Sequence, residues 1–222
     1  MFDTTKANIK GHITIADKES GEVLVDKPNA IHFGNISTKI AEALIGKPSS
    51  FITYMAFGNG GVSVDNTGQI IYNEPNVSNT KVPSAQLYNT VFVYEIENYN
   101  SDNQSNASRE ANTGGGVNNY EDIAVVVTLT SDMPNNQMLI DIADGVNDET
   151  STTTDFVFNE IALYTGVKNK GNLTDPSDVT GFLTDTSENR PTMITHVIFH
   201  PVQKSQNRTL EITYRLRIQM GS

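Results

Sequence analysis

The stretch "TLEITYRLRIQM", residues 209–220, decides the fold, because apolar and polar side chains alternate through its whole length. Successive side chains of a β-strand point to opposite faces, so this alternation predicts a long strand with one buried face. The apolar face consists of Leu210, Ile212, Tyr214, Leu216, Ile218 and Met220. The other face has mixed charge, and we predict that it is exposed to solvent or forms an assembly interface. Its members are Thr209, Glu211, Thr213, Arg215, Arg217 and Gln219.

Several shorter segments also have the character of strands. Residues 12–15 and 22–27 flank a turn rich in polar residues, Asp17 to Gly21, and predict a β-hairpin. Residues 138–143 fit a strand or a short helix, and the pattern does not decide between them. Further strands are predicted at 51–57, 90–98, 122–130, 156–164 and in the segment that precedes the last strand. Together these segments predict a mainly β fold, an antiparallel β-sandwich.

One segment, "NISTKIAEALIGKP" at residues 35–48, predicts a short α-helix over residues 36–45. Apolar residues recur every three or four positions, which is the spacing of one helix face, and we expect this face to pack against the sheet. Asn35 or Ser37 is expected to cap its start, and Gly46 with Pro48 to end it. The predicted apolar face consists of Ile36, Ile40, Ala41, Leu44 and Ile45.

The composition limits the classes of function. The chain has 222 residues, enough for one large β domain, and we predict a single domain with a flexible insertion at about 98–120 and a second polar loop at 165–181. Its net charge of −11 opposes binding to nucleic acid, whose phosphates require Lys and Arg. There is no cysteine, and neither a signal peptide nor a membrane span is apparent. We therefore expect folding in a cytoplasm, without disulfides.

The stretch "FITYMAFGNGG", residues 51–61, combines a strand with a glycine-rich turn, as phosphate-binding loops do. A phosphate site of that kind also needs a helix N-terminus after the glycines, and a P-loop needs a Lys-Ser/Thr pair there. The following residues, "VSVDNTGQIIYNEP", instead predict another turn and another strand. We therefore predict that Gly58 to Gly61 form a turn that binds no nucleotide.

No other segment demands a metal, a cofactor or catalysis. His196 and His200 lie on a predicted strand without a third ligand, so we expect ordinary, partly buried imidazoles that share one side of the strand. The acidic segment 141–149, "DIADGVNDE", does not fit the calcium loop of an EF-hand. Glu95 and Glu97 could act as an acid–base pair but are better explained as a solvated strand face. We predict no catalytic, metal or cofactor site and no enzymatic activity.

Two separated regions resemble structural proteins of tailed bacteriophages. In the first, "KPNAIHFGNISTKIAEALIGKPSSFITYMAFGNGG", a short amphipathic helix precedes a strand that ends in a glycine-rich turn. In the second, "FVFNEIALYTG" and the final strand resemble the "EIGLY" ending of phage tail, baseplate and fibre-attachment proteins; Ala162 stands where glycine is commoner. The segment from residue 194 to 220 is similar to virion proteins of contractile-tailed phages that infect cyanobacteria. The resemblance covers roughly residues 22–61 and 156–220.

The resemblance implies a structural component of a phage virion, most specifically a tail, baseplate or neck protein that mediates subunit and fibre attachment. It implies other phage structural proteins and copies of the same chain as partners, in a threefold or sixfold assembly formed in the host cytoplasm. A capsid decoration protein and a glycan-binding module are the alternatives. Sugar binding would need an aromatic platform. The chain has no Trp, and its candidate aromatic residues, Tyr72, Tyr88, Tyr99 and Tyr120, are scattered.

Overall fold

The computed structural model describes residues 6–77, 85–97, 106–111, 120–131, 133–134, 156–168, 171–173 and 176–221. The segments 138–143 and 141–149 lie outside these ranges, as does Tyr99. The strands are β1 Lys6–Asp17, β2 Val23–Ile31, β3 Ile52–Gly58, β4 Val62–Val64, β5 Ile70–Tyr72, β6 Thr90–Glu95, β7 Ala107–Ala111, β8 Tyr120–Leu129, β9 Phe156–Thr165, β10 Thr192–Met193, β11 Thr195–Lys204 and β12 Leu210–Gly221. The helices are α1 Phe33–Leu44 and α2 Pro176–Thr184, and Pro48–Ser50 form a 3-10 turn.

Nearly all strands belong to one antiparallel sheet, in the order β6-β3-β9-β11-β2-β1-β12-β8-β7, with β10 added beside β9. Strands β4 and β5 form a separate two-stranded ribbon. The mainly β, antiparallel prediction is confirmed, but the strands form one continuous sheet where the sequence predicts the two layers of a sandwich. The reason is the pairing of β11 with β2, at Thr195 opposite Ile31 and His196 opposite Ala30, which joins the two halves by hydrogen bonds.

The sheet curls until its two ends approach each other at Asn106. The backbone N–H of Asn106 donates to Glu97 just after β6, and its side-chain amide donates to the carbonyl oxygen of Val126 on β8. Side chains from both ends of the sheet, among them Phe92 of β6 and Val125 of β8, therefore belong to one hydrophobic core. A curl of this kind satisfies backbone groups that an open edge strand would leave unpaired.

Strand β12 confirms the alternation in the sequence. It pairs with β1 on one side and β8 on the other along its length. Leu210, Ile212, Tyr214 and Leu216 are buried, whereas the residues between them are partly or fully exposed. The hydroxyl of Tyr214 accepts a hydrogen bond from the amide of Asn29 in β2, which satisfies its buried polar atom.

The hairpin of β1 and β2 is also as predicted. The side chain of Asp17 accepts the N–H groups of Glu19 and Ser20, and Gly21 adopts the positive φ of 72° that closes the turn. On the other side of the carboxylate, the guanidinium of Arg208 donates a hydrogen bond at 2.6 Å. Asp17 therefore organises the turn and connects it to the loop before β12.

Helix α1 begins earlier than predicted, at Phe33, because His32 caps it in place of Asn35 or Ser37. The imidazole Nδ1 of His32 accepts the backbone N–H of Asn35 at 3.2 Å. At the other end, Gly46 has a φ of 80°, and the N–H groups of Gly46 and Lys47 bond back to Ala43 and Glu42. This is the Schellman arrangement that commonly ends a helix with glycine.

Two predicted polar loops contain regular structure. Helix α2, a second helix that the sequence does not predict, begins inside the segment 165–181. It forms because Val179 and Phe182 face the sheet, where the ring of Phe182 lies 5.1 Å from that of Tyr54, centroid to centroid. Strand β7 lies inside the predicted insertion at 98–120 and forms by pairing with β8. Residues 98–105 and 112–119 of that insertion lie outside the described ranges.

Candidate assembly surfaces

The glycine-rich turn after β3 surrounds a carboxylate of the chain itself. Glu160, on β9, is completely buried. Its Oε1 accepts the backbone N–H groups of Gly60 and Asn89, each at 3.0 Å, and its Oε2 accepts that of Tyr88 at 3.1 Å. Backbone N–H groups that converge in this way form an anion-binding cradle. The glycine-rich turn supplies one of these N–H groups, from Gly60, and the segment before β6 supplies the other two, so the cradle is built from both and its occupant is Glu160.

Positions 58 and 60 require glycine, because neighbouring atoms leave no room for a Cβ. A Cβ at position 58 would lie 2.5 Å from Oε1 of Glu160 and 2.6 Å from the backbone oxygen of Asn89. A Cβ at position 60 would lie 2.7 Å from the backbone nitrogen of Asn89. The neighbouring Asn159 accepts the N–H of Gly61 at 2.8 Å and completes the support of the turn. The cluster has the character of a structural clamp that joins β3, β9 and the segment before β6.

His196 completes this clamp. Its Nδ1 accepts the backbone N–H of Asn76 at 2.8 Å, so Nδ1 has no proton and Nε2 carries it. Nε2 then donates to Oε2 of Glu160 at 3.0 Å. Both side chains are fully buried, and every polar atom of the pair has a partner. This geometry fits a positioning role within the fold.

The expectation that His196 and His200 are both partly buried is wrong. His196 is completely buried, whereas His200 is exposed and lies 3.2 Å from the hydroxyl of Tyr72. His196 is covered by the segment at Asn76, whose N–H it accepts, and by the ring of Tyr88, whose centroid lies 5.9 Å from that of the imidazole. Across the described residues, no group of three His, Cys, Asp or Glu side chains could hold a metal ion.

The predicted assembly interface on β12 lies on the outer face of the sheet. Glu211 forms an ion pair with Lys18, and Arg217 binds Asp122 of β8 through two hydrogen bonds of 2.8 and 2.7 Å. The Arg217 guanidinium also lies 4.0 Å from the centre of the Tyr120 ring and lowers the pKa of Asp122. Neighbouring residues of the fold therefore hold two of these side chains, Glu211 and Arg217, in place. The other predicted members are Thr209, Thr213, Arg215 and Gln219.

A groove of about 730 Å³ runs beside this face. Its basic side chains come from neighbouring strands, because Lys10 lies opposite Arg217 and His12 opposite Arg215 in the pairing of β1 with β12. Phe33, at the start of α1, forms part of its apolar wall. The structure thus brings two of the predicted interface residues, Arg215 and Arg217, together with residues that the sequence does not single out.

Glu95 and Glu97 have separate roles. Glu95 accepts the backbone N–H of Gly171 at 2.7 Å, and the backbone of Glu97 binds Asn106 where the sheet ends meet. Among the scattered tyrosines weighed against a sugar platform, Tyr72 and Tyr88 are half exposed and Tyr120 lies under Arg217. Tyr88 is further held by a hydrogen bond to the carbonyl oxygen of Glu74.

The most exposed apolar surface is one that the sequence predicts to be buried. Of the predicted apolar face of α1, only Ile36 is buried. Leu44 is 84% exposed, Ile45 81% and Ile40 39%, and Phe33 at the start of the helix is 58% exposed. The expectation that this face packs against the sheet is therefore wrong. The sequence gives the periodicity correctly, but the period alone does not say which surface covers the face.

The inner side of α1 is polar instead. The amide of Asn35 donates to the carbonyl oxygen of Met193 at 2.7 Å. Lys39 is nearly buried and pairs with Glu42 at 2.8 Å, and Lys47 binds the same carboxylate at 2.9 Å. These two ammonium groups lower the pKa of Glu42. The hydrogen bond of Asn35 and the buried side chain of Ile36 hold the helix to the fold, whereas the ion pairs lie within the segment 39–47 itself. The rest of the apolar face points outward.

Among the described residues, no helix is long and apolar enough to cross a membrane. No family model, curated protein or solved structure matches this chain, so its function has to be inferred from its own sequence and geometry.

Proposed function

We propose that this chain is a structural component of a phage virion, a tail, baseplate or neck protein that contacts copies of itself and neighbouring virion proteins. Its place is the assembled particle, formed in the host cytoplasm. The sequence resemblance at residues 22–61 and 156–220 supports the class of protein. The structure adds a surface on which such contacts could be built.

The observation that carries the proposal is the outward apolar face of α1. Leu44 and Ile45 are almost fully exposed, and Phe51 beyond the helix is 52% exposed. Several large apolar side chains exposed within one short segment favour an interaction site in a soluble protein. Burying a large aliphatic side chain is worth about 2 kcal/mol, so covering this face gives an assembly contact a substantial driving force.

The buried Glu160–His196 clamp is consistent with the same role. Both side chains are enclosed and fully hydrogen bonded, which favours a rigid subunit over a reactive site. The groove beside β12, mainly apolar with Lys10 and Arg215 among its lining residues, offers a second surface. Neither feature requires a cofactor or a metal.

Particles of the phage whose genome encodes this chain provide the test. We expect peptides of the chain in purified particles, at a copy number that is a multiple of three or six, and defective tails when the gene is deleted. Separating heads from tails before the measurement distinguishes a tail, baseplate or neck protein from the capsid decoration alternative. Absence of the chain from purified particles would contradict the proposal.

A further inference from the structure

The groove of about 730 Å³ lies where two neighbouring strands of the sheet part. Strand β2 pairs with β1 as far as Asn29 opposite Gly11, and its next residues, Ala30 and Ile31, pair with β11 instead. Residues 6–10 of β1 therefore pair with β12 on one side and, among the described residues, have no strand partner on the side of β2. We call residues 6–10 the open edge of β1.

The lining of the groove shows that it is bounded by strand edges. Four consecutive residues of β1, 9–12, and four of β2, 28–31, line it. Neighbouring residues of a strand point their side chains to opposite faces, so one face alone would contribute only every second residue. Both strands therefore present their backbone to the groove. An unpaired strand edge binds an extended segment by forming the missing ladder of backbone hydrogen bonds.

Contacts on both sides hold the strands where they part. The amide of Asn29 donates to the hydroxyl of Tyr214 on β12, and its side chain occupies the place of a Cβ at Gly11. On the other side, Ala30 pairs with His196, whose imidazole is fixed by the buried Glu160. The open edge is therefore preformed, and a bound segment would not have to separate two paired strands.

Apolar side chains flank the open edge. Ile9 of β1 lines the groove and belongs to the hydrophobic core. Phe33, which also lines it, is 58% exposed, and Val77 forms a further part of the wall. Five residues of extended chain span about 17 Å, so a short strand matches the open edge in length. Such a strand would find apolar partners for the side chains on one of its faces.

The charges of the lining favour an acidic partner. Among the described residues that line the groove, Asp122 is the single carboxylate, and Arg217 binds it through two hydrogen bonds. Lys10 and Arg215, both exposed, give the lining an excess of positive charge. Lys10 lies on the face of β1 opposite to that of Ile9, because the two residues are adjacent in the strand. Acidic side chains on one face of an added strand and apolar ones on the other would meet this arrangement.

The net charge of the chain, −11, acts only weakly at the groove. At physiological ionic strength, exposed charges are screened beyond about 8 Å. The carboxylate of Asp26, on β2, lies 3.2 Å from Nε2 of His12, which is a lining residue. The cations of the lining itself therefore decide which charge a bound segment should have.

We infer that the open edge of β1 binds an extended peptide segment in which acidic and apolar side chains alternate. The segment runs antiparallel to β1 and continues the path that β2 leaves at Asn29. Its acidic side chains lie towards Lys10 and Arg215, and its apolar side chains lie on the face of Ile9. The inference deepens the proposed function, on which it rests for its biological setting, because a neighbouring virion protein would supply the segment.

A labelled peptide tests the inference. The probe has about six residues, a usual strand length, with glutamate and valine in alternation, and fluorescence anisotropy measures its binding to the full chain. We expect a dissociation constant of about 100 µM, because ordering a short peptide opposes binding. Lys10→Glu should weaken binding by about fivefold or more through charge repulsion. Lys168→Glu, at an exposed lysine that does not line the groove, is the matched control and should leave it unchanged.

Two N-methylated probes show whether the backbone is recognised. One is methylated at every glutamate N–H and the other at every valine N–H. Alternate residues of a strand direct their N–H groups to the same neighbour, so one probe loses its donors to β1 and the other keeps them. We expect the dissociation constants of the two probes to differ by about tenfold or more. Hydrogen exchange of the chain should slow at residues 6–10 when the unmethylated probe binds.

Three results would overturn the inference: no binding up to about 1 mM, equal binding of the two methylated probes, or slower exchange only at another strand edge. Equal binding of a probe with lysine in place of glutamate would overturn the acidic character of the partner. These outcomes are distinct from a failure of the proposed function. A chain that binds the probe but is absent from virions defeats the proposed function alone. A chain present in virions that binds no probe defeats the inference alone.

Discussion

Glu160 is the residue on which most of the local structure converges. Its carboxylate accepts three backbone N–H groups and the imidazole of His196. Glu160→Gln would place an amide donor against these N–H groups and leave at least one of them unsatisfied. We expect the free energy of unfolding to fall by about 3 kcal/mol, as when a buried polar network loses one member.

Chemical denaturation at neutral pH measures this change. Glu121→Gln, at an exposed position on β8, is the control and should change the free energy of unfolding by less than about 0.5 kcal/mol. Equal stability of Glu160→Gln and the parent chain would show that the clamp contributes little to the fold.

The glycines of the turn can be tested in the same way. At Gly58 an added methyl group would lie 2.5 Å from Glu160 and 2.6 Å from a backbone oxygen, so we expect Gly58→Ala to destabilise the chain by about 2 kcal/mol. At Gly181, within α2, nothing lies within 4 Å of the added atom. Gly181→Ala should therefore stabilise the helix by about 0.5 kcal/mol. Thermal unfolding measures both changes. Melting temperatures of Gly58→Ala and Gly181→Ala that shift in the same direction would contradict the account.

Asp17 makes a prediction about pH. Hydrogen bonds, first from the N–H of Ser20 and then from Arg208, lower its pKa from 3.8 to about 2. A lowered pKa in the folded state means that Asp17 stabilises the fold above pH 3.8, and that this contribution is lost as the pH falls towards 2. The stability difference between the parent and Asp17→Asn should be full at pH 5 and should disappear near pH 2. Denaturation at a series of pH values across this range measures the difference. If Asp17 did not cause the pH dependence, the stability difference between the parent and Asp17→Asn would stay constant.

At the scale of elements, β12 is the clearest case in which the pattern and the structure agree. Ile212 is completely buried, and Thr213, its neighbour along the chain, lies on the outer face. Ile212→Asp would bury an unpaired carboxylate at a cost of several kcal/mol, comparable with the stability of a whole domain. We expect it to abolish soluble folding, while Thr213→Asp folds normally. Soluble yield and circular dichroism of the two variants measure whether each one folds. If both variants fold equally well, the buried and outer faces of β12 are wrongly assigned.

Helix α1 shows where the pattern stops being informative. Its period of three to four residues predicts a helix with one apolar face, and the helix is there. The position of that face depends on the opposite side of the helix, where Ile36 packs into the core and the amide of Asn35 donates to the carbonyl oxygen of Met193. A single sequence does not reveal these contacts, because Met193 and Asn35 lie far apart in the chain. The periodicity therefore identifies the apolar face of α1 correctly, but the prediction that this face is buried in the core is wrong.

The clamp at Glu160 is a similar case. The sequence marks the turn by its glycines and shows no helix after it, which correctly predicts the strand β4. The occupant of the turn comes from β9, whose pairing with β3 is a long-range contact. Glu160 is the first residue of the segment that resembles the phage "EIGLY" ending, yet only the fold shows what its carboxylate does.

For the whole molecule, strand content was predictable and strand order was not. Alternation and turn residues locate β1, β2, β6, β9 and β12, but β11 and β12 are consecutive in the chain and pair with different strands. The continuous curled sheet follows from those non-local pairings, which local pattern does not encode. Helix α2 was missed because its three apolar residues, Val179, Phe182 and Leu183, stand in a short segment dominated by turn-forming Pro, Ser, Asp, Thr and Gly.

The central claim is that this chain is a virion subunit whose α1 face is covered by assembly. The most direct test is a reconstruction of the purified phage particle at a resolution that shows side chains. The account predicts the chain in the tail, baseplate or neck, with Ile40 and Leu44 buried against a neighbouring subunit. Absence of the chain from the particle, or its presence with both side chains open to solvent, would contradict the claim.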